Sequence, residues 1–244
     1  MHLQFAELPV FDQDRAMTFS TEHLGCTVRA SRGGSMHQIW VVVHKERDAL
    51  IQDLLALKTQ QWATPSLCPG WDIHAVLAHL VNDAKTTPIG FISRLIAAGF
   101  NFDRLNASGI ARERSIDPNR TLVYFQDVRS RTTGAPAPLA TRLVEVFVHG
   151  EDIRRPLGID HEYPVAEVAT ALRYQAKTSL KLGGGKERLE GLRLIATDTV
   201  FDEGVGKEVH GAAIALLLAV SGRPVHTGEL TGPGALSLTR ADRR

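Results

Sequence analysis

One stretch decides the fold: residues 139–155 have the sequence LATRLVEVFVHGEDIRR. Apolar or small residues recur in it every three or four positions, which is the period of one helix face. These residues are Leu139, Leu143, Val146, Gly150 and Ile153. Helix breakers lie on both sides, in residues 134–138 (GAPAP) and at Pro156. The pattern predicts a helix from about Leu139 to Arg155.

The same period recurs towards the N-terminus. Asp72 is a candidate N-cap for a second helix, whose apolar face is formed by Ile73, Val76, Leu77, Leu80 and Val81. We expect further helices at about residues 44–62, 88–100 and 120–131, with a polar stretch between the last two. Antiparallel helices joined by loops of this length form a four-helix bundle, which we assign to residues 40–158.

The pattern changes after Gly158. A helix at residues 165–182, a strand at 192–196 and an apolar helix at 212–220 indicate a small α/β C-terminal domain at residues 159–244. The expected fold class is therefore mainly α, a four-helix bundle followed by a small α/β domain. Residues 1–39 show no sustained period, and we interpret them as an N-terminal extension. Either this extension is poorly ordered or translation naturally starts at Met36.

Composition and charge restrict the class of partner. The chain has 244 residues, of which 43% are hydrophobic, and its formal net charge is +1. This balance gives no electrostatic reason to bind nucleic acid or an acidic membrane surface. The longest apolar run, Ala212 to Val220, is shorter than the roughly 18–20 residues of a membrane-spanning helix. We therefore expect small-molecule partners.

The two cysteines bear on the compartment. Cys26 and Cys68 lie far apart and outside any CxxC pair, so neither a disulfide framework nor a thiolate metal cluster is indicated. The N-terminus has no basic start followed by an apolar segment, so no secretory signal is visible. Both observations favour a cytoplasmic protein.

A row of polar residues borders the apolar face of the 139–155 helix. Glu145, His149 and Asp152 are spaced i, i+4 and i+7, which places them within about 60° around the axis. On the second helix, His79 lies about 130° from the centre of the apolar face, beside the small residues Ala75 and Ala78. A histidine facing a glutamate and a second histidine would supply the three ligands of an open zinc-type site.

Each of these features has a simpler interpretation. A Glu-x3-His pair on a helix is commonly a solvated side-chain contact, and a lone histidine is commonly a hydrogen-bonded boundary residue. Spacing alone leaves both interpretations open.

Two longer segments carry a family resemblance. Residues 62–71 (WATPSLCPGW) with 76–80 (VLAHL), and residues 142–158 (RLVEVFVHGEDIRRPLG), resemble the two hallmark segments of the mycothiol-dependent maleylpyruvate isomerase family. That family lies within the DinB-like group of metal-binding four-helix bundles. The similarity continues through residues 191–198, 209–213 and 221–224, so it spans about residues 40–240.

The resemblance implies a cofactor and its ligands. It implies a divalent metal, usually zinc, held by His79, Glu145 and His149. The acidic residue that these proteins commonly carry four positions before the first histidine is Ala75 here, which leaves a partner of that histidine in doubt. Asp152 is a candidate to orient a ligating imidazole by accepting its other ring N–H, and its other interpretation is a surface carboxylate.

The resemblance also implies a reaction. Metal-bound mycothiol would have a lowered thiol pKa, and its thiolate would add to the cis double bond of an unsaturated dicarboxylate, allow rotation and leave. The same thiolate could remain attached to a small electrophile, as in a transferase, and the sequence does not separate the two. One alternative is a non-catalytic metal-binding, thiol-binding or sensing module. A second is a structural protein without metal.

Arginines near the 139–155 helix are candidate receptors for substrate carboxylates. Arg142, Arg154 and Arg155 could each bind a carboxylate. The other interpretation makes them solvated surface charges, with Arg154 and Arg155 complementing the helix dipole at its C-terminal turn.

Overall fold

The computed structural model describes residues 32–240, with side chains from residue 36 to residue 239. The predictions that residues 1–35 are poorly ordered or precede the native start concern positions that lie almost wholly outside this range.

The described residues form nine α-helices and four strands. The helices are α1 (Arg32–Leu55), α2 (Ile73–Lys85), α3 (Pro88–Ala97), α4 (Phe102–Glu113), α5 (Pro118–Val128), α6 (Ala140–Leu157), α7 (Val165–Lys177), α8 (Ala213–Val220) and α9 (Ala235–Arg240). The strands are β1 (Leu192–Ala196), β2 (Asp202–Gly204), β3 (Lys207–Gly211) and β4 (Leu230–Thr231). Their order in the sheet is β2-β1-β3-β4, with β1 and β3 parallel and the other pairs antiparallel. The mainly α fold class with a small α/β portion is confirmed.

The first helix begins earlier than the sequence indicated. The expected start near His44 is wrong, because α1 already runs from Arg32. Ile39, Trp40 and Val43 pack against a hydrophobic core, and such packing outweighs the weak helix propensity of the glycines at the start of α1. The helices at 88–100, 120–131 and 165–182 are present but end sooner, at Ala97, Val128 and Lys177.

Helix α2 lies at the centre of the bundle. Asp72 caps it by accepting a hydrogen bond from the Ala75 backbone N–H at 2.7 Å, as its sequence position predicted. The helix packs against α4, α5 and α6, so nearly every residue from Ile73 to Ala84 is buried. Because α2 is surrounded, His79 is buried although it lies away from the main apolar face.

Helix α4 was missed and read from the sequence as a polar stretch. Asn101 caps it by accepting from the Arg104 N–H at 2.9 Å. A Cβ added at Gly109 would lie 2.8 Å from the side chain of Asn82, so this glycine lets α4 approach α2 closely. This close contact is made by a glycine and a polar side chain, so the apolar period did not reveal the helix.

Helix α6 belongs to two hydrophobic cores. Leu143 and Phe147 join the core formed with α7, α8 and the sheet, whereas Ile153 joins the core of the bundle. Residues from Met36 onward cluster as one compact unit, and the domain boundary predicted at residue 158 stays a prediction. Within residues 32–240, no helix has both the length and the apolar character required to cross a membrane.

Candidate functional site

Two adjoining cavities meet at His149. The smaller has a volume of about 280 Å³ and is lined in part by Asp83, Arg142 and Glu145. The larger has a volume of about 750 Å³, and its lining includes His79. Both are also lined by Phe102, Asn106, Leu182 and Gly183. The four polar residues selected from the sequence, His79, Glu145, His149 and Asp152, therefore come together at the junction of α2 and α6.

The rings of His79 and His149 contact each other edge to face. Their centroids are 4.9 Å apart. His79 Nε2 lies 3.3 Å from Asp83 Oδ2, while its Nδ1 is buried without a hydrogen-bond partner. Burial lowers the pKa of His79 to about 4. The imidazole is therefore neutral at neutral pH, which is the form that binds a metal.

Glu145 is a buried carboxylate that forms an ion pair with Arg142. Its Oε2 lies 2.7 Å from Arg142 Nη1 in an ion pair, yet neither carboxylate oxygen has a partner in hydrogen-bond geometry. Burial raises the pKa of Glu145, and the charge of Arg142 opposes that rise. The carboxylate is thus neutralised without its lone pairs being fully used.

His149 is fixed by a chain of hydrogen bonds. Its Nδ1 lies 2.8 Å from Asp152 Oδ2. Asp152 is fully buried and also accepts from Arg223, at 2.8 Å from Nε and 3.0 Å from Nη2. Burial alone would raise the pKa of Asp152, but the hydrogen bonds from His149 and Arg223 hold it below its usual value. An ionised Asp152 keeps the proton on Nδ1 of His149, which leaves Nε2 as its free lone pair.

Two residues of the site were not selected from the sequence. Trp71 lies with its ring centroid 5.0 Å from that of His79 and 6.3 Å from that of His149. Arg223 reaches Asp152 from the turn after α8. Both residues lie in segments of the family resemblance, which was the available signal for them.

The loop that carries Trp71 is tied to α6. Leu67 donates its backbone N–H to the Asp152 carbonyl at 3.2 Å, and Ser66 Oγ donates to the Trp71 carbonyl at 2.8 Å. Cys68, in the same loop, lines the larger cavity, and burial raises its pKa to about 11. At neutral pH Cys68 is a thiol and a poor nucleophile.

The three candidate arginines have different surroundings. Arg154 is fully buried and donates to Asp53 and Tyr163 at 2.7 and 2.9 Å. Arg155 is paired with two carboxylates, those of Glu151 and Glu229. The interpretation of these arginines as solvated surface charges is wrong, because each neutralises buried or half-buried acids. Of the three, only Arg142 lines either cavity.

The donor atoms fit a metal ion in kind. His79 Nδ1 and both Glu145 oxygens are buried and without hydrogen bonds, and two imidazoles with one carboxylate are common zinc ligands. They are not gathered as ligands, since no group of three or more His, Cys, Asp or Glu among residues 32–240 is arranged to hold a metal. Glu145 is paired with Arg142 instead.

Comparisons with known proteins agree with the fold. Residues 43–122, which include His79, match the mycothiol maleylpyruvate isomerase N-terminal domain. Two crystal structures are similar, those of the mycothiol-dependent maleylpyruvate isomerase and of a histidine-to-alanine mutant of it. Each has a TM-score of 0.53 and 15% sequence identity, covering 82% of this chain and 93% of the other. At this identity the similarity shows the fold alone. No curated protein shows a significant sequence match.

Proposed function

We propose that this chain holds one divalent metal ion, with zinc expected, through His79, Glu145 and His149. With this metal, the chain would use a thiol of the mycothiol type in one of two reactions. The thiol either isomerises a small electrophile or becomes attached to that electrophile. One observation carries the proposal. Three donor atoms, His79 Nδ1 and the two Glu145 oxygens, are buried without hydrogen bonds beside His149. Burying polar atoms without hydrogen bonds is costly, and a metal ion would give these atoms a partner.

The residues around the ligands support this role. Asp152 and Arg223 hold His149 in one orientation through hydrogen bonds of 2.8–3.0 Å. Partners of this kind fix the ring and the tautomer of a ligating histidine. Asp83, one turn after His79 on the same helix, lies 3.3 Å from its Nε2. An acidic neighbour of His79 is therefore present one turn after it, whereas the position one turn before it is Ala75.

The nucleophile would come from outside the chain. Cys68 is the one free cysteine among the described residues, and its pKa is raised to about 11. A bound metal would supply the missing activation by lowering the pKa of an exogenous thiol. The lining of the larger cavity includes Trp71 and the polar residues Asn101, Asn106 and Lys181, so it offers an apolar surface and several hydrogen-bonding groups to such a molecule.

The smaller cavity suits the electrophile. It adjoins the larger one at His149 and contains Arg142, together with the hydroxyl groups of Thr86 and Thr141. A carboxylate on the electrophile would find its counter-ion there. A low-molecular-weight thiol stays reduced in the cytoplasm, and this is the compartment that we propose.

Elemental analysis of untagged protein tests the metal site. We expect about one zinc or similar ion per chain, lost in both His79→Ala and Glu145→Ala. The matched control is His74→Gln, because His74 lies on the same helix but is hydrogen-bonded to Thr121 at 2.8 Å, away from both cavities. No metal in the wild type, even after reconstitution, would overturn the proposal.

Turnover separates an enzyme from a binding module. The metal-loaded protein should consume a thiol in the presence of an unsaturated dicarboxylate or a model electrophile, or convert the cis dicarboxylate to the trans form. Metal binding without either reaction would leave a non-catalytic metal or thiol module as the function.

A further inference from the structure

We propose that Arg142 exchanges partners: it neutralises Glu145 in the metal-free protein and becomes the receptor of a ligand carboxylate when Glu145 turns to the metal. The inference rests on the proposed metal site and adds a coupling to it. Anion binding in the smaller cavity would then depend on the metal, and the metal and Arg142 would compete for one carboxylate.

The contacts of Arg142 leave it able to change partner. Its Nη1 lies 2.7 Å from Glu145 Oε2, and its Nε donates to Thr141 Oγ1 at 3.1 Å. A Cβ added at Gly134 would lie 3.0 Å from Nη1, so the absence of a side chain there gives the guanidinium its space. The Arg142 side chain is about 10% exposed and lines the smaller cavity. Rotation about its flexible stem therefore brings the fork to a ligand without unfolding.

Glu145 has a reason to leave Arg142. Neither of its oxygens has a partner in hydrogen-bond geometry, although both are buried. His79 and His149, its expected co-ligands, contact each other with ring centroids 4.9 Å apart. A carboxylate held by one ion pair and no good hydrogen bond is a weakly restrained group, so a cation placed between it and the imidazoles would draw it across.

The charge that a bound metal adds to the site then favours binding of an anion. Three arginines, Arg47, Arg142 and Arg223, interact here with three carboxylates, which are Asp83, Glu145 and Asp152. With all six groups ionised, their charges sum to zero. A divalent cation bound by neutral imidazoles would leave two uncompensated positive charges in a largely buried site, and such an excess is costly. A carboxylate on Arg142 and a thiolate on the cation would restore neutrality.

Calorimetric titration with zinc and succinate tests the exchange, because succinate is a dicarboxylate with no double bond to react. Metal-loaded wild type should bind succinate at least about tenfold more tightly than metal-free protein. By thermodynamic reciprocity, succinate should tighten zinc binding by the same factor.

Arg142→Gln should remove this coupling and bind zinc more tightly than wild type, since the competitor for Glu145 is gone. Arg142→Lys, which retains charge but not the fork, should show a reduced coupling and covers the case in which the Gln variant does not fold. Arg104→Gln, at an exposed position on α4, controls for the loss of one positive charge.

Three results decide the matter. If Arg142→Gln keeps the metal-dependent gain in succinate affinity, the anion binds the metal directly and the exchange is wrong. If it binds zinc no more tightly than wild type, there is no competition and the exchange is again wrong. If wild type binds no zinc at all, the failure lies in the proposed function itself.

Discussion

Trp71 lies against both histidines of the site, with its ring centroid 5.0 Å from that of His79 and 6.3 Å from that of His149. The other tryptophans within residues 36–239 make their ring contacts elsewhere, since Trp40 contacts His44 and Trp62 contacts His74. The indole of Trp71 therefore forms part of the wall of the site rather than a simple packing contact between helices.

Trp71 should report on the occupancy of the site by its fluorescence. A change in the charge or position of the two imidazoles will alter the emission of an indole in contact with them. We expect titration with zinc to change the emission of wild type and of Trp62→Phe equally, and to have little effect on Trp71→Phe. A zinc-induced change in emission that persists in Trp71→Phe would mean that the metal binds elsewhere.

Arg223→Gln should weaken metal binding and destabilise the protein. The substitution leaves the fully buried Asp152 with His149 as its remaining side-chain partner. An unpaired buried charge costs about 1–3 kcal/mol or more, and loss of a partner that orients a ligand lowers metal affinity by about 10–100-fold. Chemical denaturation and zinc titration measure the two effects.

The control for Arg223 is Arg193→Gln. Arg193 also pairs with an aspartate, Asp202, at 2.6 Å, but the side chains are 41% and 48% exposed. Exposed pairs of this kind contribute little to stability. Equal destabilisation by both substitutions would show that the buried hydrogen bonds of Asp152 contribute no more to stability than an exposed ion pair does.

Metal-free protein should lose stability between about pH 6.5 and pH 4. The folded pKa of His79 is lowered to about 4 from 6.5, so the unfolded chain binds the proton more readily over that interval. Stability is therefore retained above the unfolded value and is lost as the pH falls towards the folded value, by at most about 1.4 kcal/mol per pH unit for this group.

Denaturation of His79→Gln across that interval checks the assignment. The dependence on pH should become shallower without vanishing, because His74 also has a lowered pKa through burial. His37→Gln, at an exposed position, should leave the wild-type dependence intact. If stability falls as steeply with pH in His79→Gln as in wild type, His79 is not the group responsible for the pH dependence.

Gly109→Ala should destabilise the bundle even though alanine is the better helix former. The new Cβ would stand 2.8 Å from the side chain of Asn82, which also accepts a hydrogen bond from Arg112 at 2.7 Å. Overpacking of this kind costs about 1–3 kcal/mol. Ser108→Ala, an exposed neighbour on the same helix, should change the melting temperature little. A Gly109→Ala protein as stable as wild type would show that α4 can move away from α2.

Helical period predicted the parts of the fold where apolar residues face a core. Helix α6 and strand β1 lie within two residues of their expected bounds, since both carry a clear periodic pattern. Helix α4 escaped because its contact with α2 is made through Asn82 and Gly109. The start of α1 was misplaced because residues before His44 show no sustained apolar period, and packing of Ile39, Trp40 and Val43 against a core decides that part of the helix.

Spacing along a single helix predicted which residues of the site lie together on that helix. Glu145, His149 and Asp152 share one helix, so their proximity follows from the i, i+4, i+7 pattern. Arg223 and Trp71 come from a distant turn and a loop, and no local pattern indicates that they reach the same point. The burial of Arg154 was equally hidden, because it depends on Asp53 and Tyr163 from other segments.

Helix α6 contributes residues to both hydrophobic cores, and this limits where the chain can be truncated. A chain shortened to end at Gly158 would expose Leu143 and Phe147, which are both fully buried, and would remove Arg223 from Asp152. Grafting the C-terminal part onto a related bundle meets the same obstacle, because the side of α6 that packs against the C-terminal part must be transferred with it. The unit of exchange between relatives is therefore α6 together with all the residues that follow it. Recombination between a bundle and a C-terminal part from different relatives should yield folded hybrids only when the crossover lies upstream of Ala140.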